Sequence, residues 1–157
     1  MQDLSSTSEP SATAPHEPDR HSLEVLVGRW KTKGETLASG TAPVTKIDGT
    51  DVYEWLAGGF FLLHWIDVHM GEEHVQGLEI IAPDSAGGGF VTHSFDSQGN
   101  AGTYKLRRAD RVWTLRADDH RATIESGEDG RVLNVHWQQL HGAEWRPWMD
   151  LTLTKQE

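Results

Sequence analysis

One stretch decides the fold: Leu23-Glu24-Val25-Leu26-Val27-Gly28-Arg29-Trp30, after which short alternating apolar runs continue to the end of the chain. Residues 19–27 have the spacing of one short helix, which Asp19 or Ser22 can cap and which Gly28 ends. Beyond Gly28, runs with strand character alternate with Gly, Asp, Asn and Pro. A short helix followed by strand after strand is typical of a small antiparallel barrel.

The strand pattern predicts how many strands the barrel has. Eleven short runs follow the helix, and the second and third of them, Val44–Ile47 and Asp51–Leu56, are separated by an apparent turn at Asp48-Gly49. We expect these two runs to merge, and the short hairpins make sequence neighbours pair in space. The prediction is therefore an all-β fold: a single ten-stranded antiparallel up-and-down β-barrel with a short N-terminal helix. A barrel of more than about eight strands encloses a cavity, which implies a ligand.

Composition divides the chain into two parts and excludes several classes of function. Residues 1–20 are rich in Ser, Thr, Pro and Glu and hold no aromatic residue, so we expect a disordered tail before a barrel domain at residues 21–157. The net charge of -10 without a basic stripe argues against nucleic-acid binding, and no apolar run is long enough for membrane insertion. The chain has no cysteine, which fits a cytoplasmic protein and removes thiolate chemistry.

The opening Gly28-Arg29-Trp30 resembles the Gly-x-Trp motif of lipocalins, in the calycin superfamily. That resemblance implies a tryptophan that plugs one barrel end beneath a basic residue of the last strand, for which Lys155 is the candidate. Further blocks at Gly77–Asp84, Phe95–Gly99 and Trp145–Asp150 are similar to those of small, uncharacterised bacterial lipocalin-like proteins. The resemblance implies the fold and brings no activity with it.

One relative in that superfamily, the nitrobindin type, binds haem through a histidine in a ten-stranded barrel. Here the opening Gly28–Gly34 only partly matches its glycine-rich motif, and the final strand contains no histidine. We therefore predict no cofactor, with haem binding kept as a minor alternative.

Polar residues inside three successive apolar strands are the first ligand-binding candidates: His64, Glu79 and His93. Buried carboxylates and imidazoles are costly unless paired, so these residues could cluster with Arg121 in the cavity and orient a ligand or exchange protons with it. The alternative is that strand parity sends one or more of them outward.

Three late tryptophans, Trp113, Trp137 and Trp148, are the second group of ligand-binding candidates, since large flat rings commonly line pockets. Core packing is the equal alternative for these three and the favoured one for Trp30 and Trp55. No metal is predicted, because His69 and His74 flank a turn without an evident third ligand.

Three functions fit these observations. The first is binding of a small hydrophobic or aromatic molecule in the barrel cavity. The second is a cofactor-free isomerase or cyclase that acts on a biosynthetic intermediate in the same cavity, and whether the protein is an enzyme stays open. The third is a protein-interaction module, because Phe60–Ile66 is apolar on both faces and something must cover the outer one. The tail, the short helix or a second subunit could do so, and a homodimer surface is the usual reason for such a patch.

Overall fold

In a computed structural model of the protein, the described residues are 19–38 and 43–157. Ten antiparallel strands pair in chain order, and β1 also pairs with β10, so the sheet closes on itself. The all-β ten-stranded barrel is confirmed. The strands are β1 (Gly28–Thr36), β2 (Lys46–Trp55), β3 (Leu62–Met70), β4 (Glu73–Pro83), β5 (Phe90–Asp96), β6 (Ala101–Ala109), β7 (Val112–Arg116), β8 (His120–Ser126), β9 (Val132–His141) and β10 (Glu144–Gln156).

The predicted helix is present as a short 3-10 helix, Arg20–Leu26, with Asp19 as its N-cap. It covers one end of the barrel, where the Trp30 indole N–H donates to the Leu26 carbonyl at 2.8 Å. The Lys155 ammonium lies 5.6 Å from the centre of the Trp30 ring. This end is therefore closed in the way the Gly-x-Trp resemblance implied. Of the tail predicted at residues 1–20, positions 1–18 lie outside the described residues.

Behind the helix, the closed half of the barrel is a solid apolar core. Its side chains come from the helix and from all ten strands, and each fully buried one contributes about 1.5–3 kcal/mol to folding. The members are Leu23, Leu26, Trp30, Tyr53, Leu62, Ile81, Phe90, Leu106, Trp113, Leu115, Ala122, Ile124, Leu133, Val135 and Leu153. The core thus holds the helix and all ten strands together at this end of the barrel.

The turn signal at Asp48-Gly49 does not mark a turn, because β2 runs through both residues without a break. Gly49 pairs with Val68 of β3, and a Cβ placed on it would lie 2.2 Å from the Asp67 carbonyl oxygen. The glycine is thus required by the close approach of two strands. The two runs predicted on either side of Asp48-Gly49 are thus one strand, and their predicted merger is confirmed.

The outer wall of β3–β5 carries an exposed apolar patch. Trp65, Leu78 and Phe95 lie opposite one another on these strands, and Trp65 and Phe95 remain 44% and 52% exposed. Phe60 and Phe61 extend it at the closed end, and these five residues are called the outer patch below. A cover for it, including a second subunit, stays a prediction. Within the described part of the chain, no helix is long and apolar enough to cross a membrane.

Candidate ligand-binding site

An open cavity lies in the half of the barrel away from the helix, and together with adjoining space outside the wall it has a volume of about 1660 Å³. Apolar side chains such as Ile66, Val75 and Leu151 form its inner wall. Outward-facing residues such as Lys105 also border it, so the volume includes space outside the barrel wall as well as the interior. The cavity that the strand number predicted is therefore present, and it is reached from one end.

A hydrogen-bonded group of polar residues lies on the inner wall where the cavity meets the solid core. The His64 ring contacts two carboxylates, with Nε2 2.6 Å from Asp51 Oδ1 and Nδ1 3.0 Å from Glu79 Oε1. The Ser94 hydroxyl donates to Glu79 Oε2 at 3.2 Å, and the Thr32 hydroxyl donates to Asp51 Oδ2. Asp51, His64 and Glu79 are called the floor cluster below.

Strand register explains why these residues meet. His64 lies directly opposite Glu79 across β3 and β4, and Glu79 lies opposite Ser94 across β4 and β5. Asp51 on β2 is diagonal to His64, since its direct partner is Ile66. Residues directly opposite or diagonal on one face of antiparallel strands are within side-chain reach. The sheet thus aligns one polar row on the inner face of β1–β5.

The electrostatics of the floor cluster follow from burial and pairing. The side chains of His64, Asp51 and Glu79 are 10%, 9% and 11% exposed. Burial lowers the pKa of His64, but the hydrogen bonds and negative charges of Asp51 and Glu79 outweigh it and raise that pKa to about 9. Burial raises the pKa of Glu79, but the hydrogen bond and positive charge of His64, together with the Ser94 hydroxyl, outweigh it and hold that pKa below its ordinary value. At neutral pH an imidazolium therefore donates to two carboxylates.

Tyr53 holds the imidazole ring in place from the core side. Its ring stacks on that of His64 with centroids 3.9 Å apart and planes 10° apart, because the two residues face each other across β2 and β3. Burial and the nearby charges of Glu79 and Asp51 keep the pKa of Tyr53 well above its ordinary value. A neutral phenol thus forms one side of the floor.

Aromatic rings line the open end of the cavity. Trp137 and Trp148 meet edge to face at 6.0 Å, and Tyr104 meets Trp137 at 5.7 Å. His120 lies 5.1 Å from Trp148. Trp137 and Trp148 border the cavity, as does the carboxylate pair Asp118 and Asp119. That Trp137 and Trp148 contact a ligand remains a prediction.

Two of the polar candidates do not join the cluster. The inward residues of β5 are Phe90, Thr92 and Ser94, so the expected inward position of His93 is wrong and its side chain is exposed on the outer wall. Arg121 also faces outward, where its Nε donates to Gln138 at 2.6 Å. Successive strand residues point to opposite faces, so an offset of one position sufficed for each error.

Trp113 is part of the apolar core and not of the cavity wall. It is 1% exposed, lies 6.0 Å from Phe90 in the closed half, and does not border the cavity. Sequence reasoning also missed Asp51 and Tyr53. The false turn at Asp48-Gly49 split β2 and hid the alternation that places both residues on the inner face.

The positions of three histidines show how well the protein could hold a metal ion or haem. His69 and His74 stack at 4.5 Å on the outer wall, with His74 2.6 Å from Asp67. In residues 19–38 and 43–157, no group of three or more His, Cys, Asp or Glu side chains is arranged to hold a metal ion. His64 does not fit an axial haem ligand, because both of its ring nitrogens are bound to carboxylates.

A family model described as a protein of unknown function, DUF1579, matches residues 15–117. The chain belongs to this family. No curated protein matches the DUF1579 chain. Among solved structures it is similar to Rv2717c from M. tuberculosis, with a TM-score of 0.64 and 12% identity over 87% of this chain and 96% of that one. It is also similar to the S-type phycobiliprotein lyase CPES from Guillardia theta, with a TM-score of 0.58 and 10% identity over 92% and 96% of the two chains. These likenesses show a shared fold.

Proposed function

We propose that this protein binds a small hydrophobic or aromatic molecule inside the barrel. The observation that carries the proposal is the form of the cavity: an open end lined by aromatic rings, apolar walls, and a floor of fixed polar groups. Ligand sites in proteins commonly combine apolar walls with a few oriented polar groups. The ligand enters past Trp137 and Trp148, and one end of it reaches the floor cluster.

The chemistry of the floor favours binding over proton transfer. Both nitrogens of His64 are engaged by carboxylates, so the ring has no free position from which to take a proton. The pKa of Glu79 lies below its ordinary value, and a general base works best when its pKa is near the working pH. The isomerase or cyclase alternative therefore has less support in this geometry than a binding role.

Shared architecture supports the proposal at the level of the fold. A phycobiliprotein lyase is built on a similar barrel, and its match extends over most of both chains. At 10% identity the likeness does not supply a ligand. The identity of the bound molecule has to come from the residues of this chain.

Two adjacent residues on β10 give a matched test of where the ligand binds. Leu151 borders the cavity, whereas Thr152 is exposed on the outer wall. Leu151→Trp fills interior space, and Thr152→Trp adds the same ring outside. Titration with the neutral fluorescent probe N-phenyl-1-naphthylamine is expected to show similar binding to the natural protein and Thr152→Trp. Leu151→Trp is expected to bind about tenfold more weakly, as for about 1.4 kcal/mol of lost contact.

Native mass spectrometry of the same three proteins complements the titration. A small molecule that co-purifies with the natural protein and with Thr152→Trp, but not with Leu151→Trp, supports an interior site. Equal probe affinity in all three proteins would show that the probe binds elsewhere. Absence of probe binding and of any co-purified molecule would contradict the proposed function.

A further inference from the structure

We propose that the buried end of the ligand carries a cationic nitrogen, such as a protonated amine, that pairs with Asp51 and Glu79. This inference rests on the proposed function and names the class of molecule that the cavity takes: an apolar or aromatic amine. It is carried by the charges, free acceptor positions and surroundings of the floor cluster.

The floor cluster carries a net negative charge. The cluster contains two carboxylates and one imidazole, so with both carboxylates ionised its net charge is -1 when His64 is protonated and -2 when it is not. All three side chains are about one-tenth exposed or less. An uncompensated buried charge is costly, and a partner of opposite charge reduces that cost. A cationic ligand group supplies that partner in either state of His64.

The two carboxyl groups of the floor cluster can accept further hydrogen bonds. His64 engages one oxygen of each carboxylate, and the other oxygen of each accepts from a hydroxyl, Thr32 on Asp51 and Ser94 on Glu79. An ionised carboxylate offers about four acceptor positions, so both groups can accept more hydrogen bonds. Asp51, Glu79 and Ser94 all border the cavity. A ligand N–H group arriving through the cavity therefore meets acceptors, whereas an anionic group meets like charge.

The described basic side chains near the cavity do not neutralise the floor. Lys105, Arg107 and Arg116 border the cavity space but alternate along β6 and β7 with the inward residues Leu106 and Leu115, so they lie on the outer wall. Lys105 is already 3.3 Å from the Asp84 carboxylate.

The open end also suits a cation on its way in. Asp118 and Asp119 border the cavity there, and the whole chain carries a net charge of -10. Charge of one sign at an entrance raises the local concentration of oppositely charged ligands. The faces of Trp137 and Trp148 offer cation–π contacts during entry. Selection for a positive group thus operates at both ends of the cavity.

Three probes with one aromatic body test the inference on the natural protein: 1-pyrenemethylamine, 1-pyrenemethanol and 1-pyrenecarboxylate, titrated at pH 7 by fluorescence. The amine is expected to bind about tenfold or more tightly than the alcohol, as for one charge-assisted hydrogen bond, and the carboxylate is expected to bind most weakly. If the alcohol binds as tightly as the amine, the inference is overturned, whereas the proposed binding of an apolar molecule is not. If none of the three pyrene probes binds and N-phenyl-1-naphthylamine does not bind either, the proposed function is contradicted as well.

A matched pair of variants assigns the selectivity to the floor. Glu79→Gln and Glu125→Gln each replace one carboxyl group with an amide, but Glu125 is exposed on the outer wall of β8 and does not border the cavity. Glu79→Gln is expected to lose about tenfold in amine affinity while alcohol affinity changes less than about threefold. Glu125→Gln is expected to keep the amine preference.

Far-UV circular dichroism shows whether Glu79→Gln is folded. If it is not, Asp51→Asn serves as the second variant, and the comparison of the three probes on the natural protein decides the matter without a substitution. An amine preference that survives in folded Glu79→Gln and Asp51→Asn would overturn the inference.

Discussion

The two halves of the barrel are built by the same ten strands and yet differ in their interiors. At the closed end the inward residues are large and apolar, with Trp30 and Trp113 at 0% and 1% exposure. A few positions farther along the same inner face, β2–β4 carry Asp51, His64 and Glu79, and a cavity begins. Alternation alone decides which residues face inward. The size and polarity of those residues decide whether the space is filled.

Removing the plug is the most severe way to test this comparison. Trp30→Ala is expected to destabilise the protein by about 3–5 kcal/mol, because a large fully buried ring leaves a cavity in a packed core. Trp148→Ala removes an equal ring from the edge of the existing cavity and is expected to cost about 1 kcal/mol. Urea unfolding followed by circular dichroism measures both. Equal losses in the two variants would contradict the division into a solid half and an open half.

The floor cluster makes stability depend on pH in a direction set by His64. Its pKa is raised from 6.5 to about 9 in the folded protein, so its contribution is complete below about pH 6.5 and is lost as the pH rises through about 9. The shift corresponds to about 3 kcal/mol of unfolding free energy. The lowered pKa of Glu79 acts at acid pH. Its contribution to stability is present above about pH 4.5 and is lost in more acid solution.

Urea unfolding of the natural protein at pH 6 and pH 9 measures this dependence. His64→Gln keeps a polar side chain but does not titrate, so its stability is expected to fall by less over the same interval. An equal fall in the two proteins would show that other groups cause it.

The outer patch is the surface on which a second copy of the chain would contact the barrel. If the patch is covered by a second copy, the natural protein has the mass of two chains by light scattering coupled to size exclusion. Replacing Trp65 and Phe95 with serine is then expected to give a single chain with the same circular dichroism. A natural protein that is already monomeric would show that the predicted homodimer is wrong.

A substitution on the outer wall tests the distinction between the inner and outer faces of the barrel. His93→Ala removes a side chain that is exposed on the outer wall, one position before the inward Ser94. Binding of N-phenyl-1-naphthylamine is expected to change by less than about twofold, since surface changes away from a site usually have little effect. A loss similar to that of Leu151→Trp would contradict the outward position of His93.

The fold could be predicted because its determinants are local. Turn residues, alternating runs and the Trp30 motif each indicate structure within a few positions, and together they gave the ten strands and the closed end. The exception, Gly49, is instructive. A glycine required by close strand packing has the same local sequence as a glycine in a turn, and the difference lies in the neighbouring strand.

The candidate site depends on register and could be predicted only in part. His64 and Glu79 were identified as polar residues within apolar strands, and the structure brings them together. Asp51 joins them from β2, where the false turn concealed its alternation. His93 and Arg121 were assigned to the wrong face, because a slip of one residue reverses the direction of every side chain on a strand.

The seam between β1 and β10 also constrains how the molecule is made. Trp30 pairs with Lys155, so strands from opposite ends of the domain complete one sheet. During synthesis β1 is translated before the other strands, and the edge that pairs with β10 stays unpaired until β10 has been translated. Contacts between such distant residues slow folding, and unpaired strand edges promote aggregation. The nascent chain is therefore most vulnerable in the interval before its last strand appears, and that is when a chaperone would help it most.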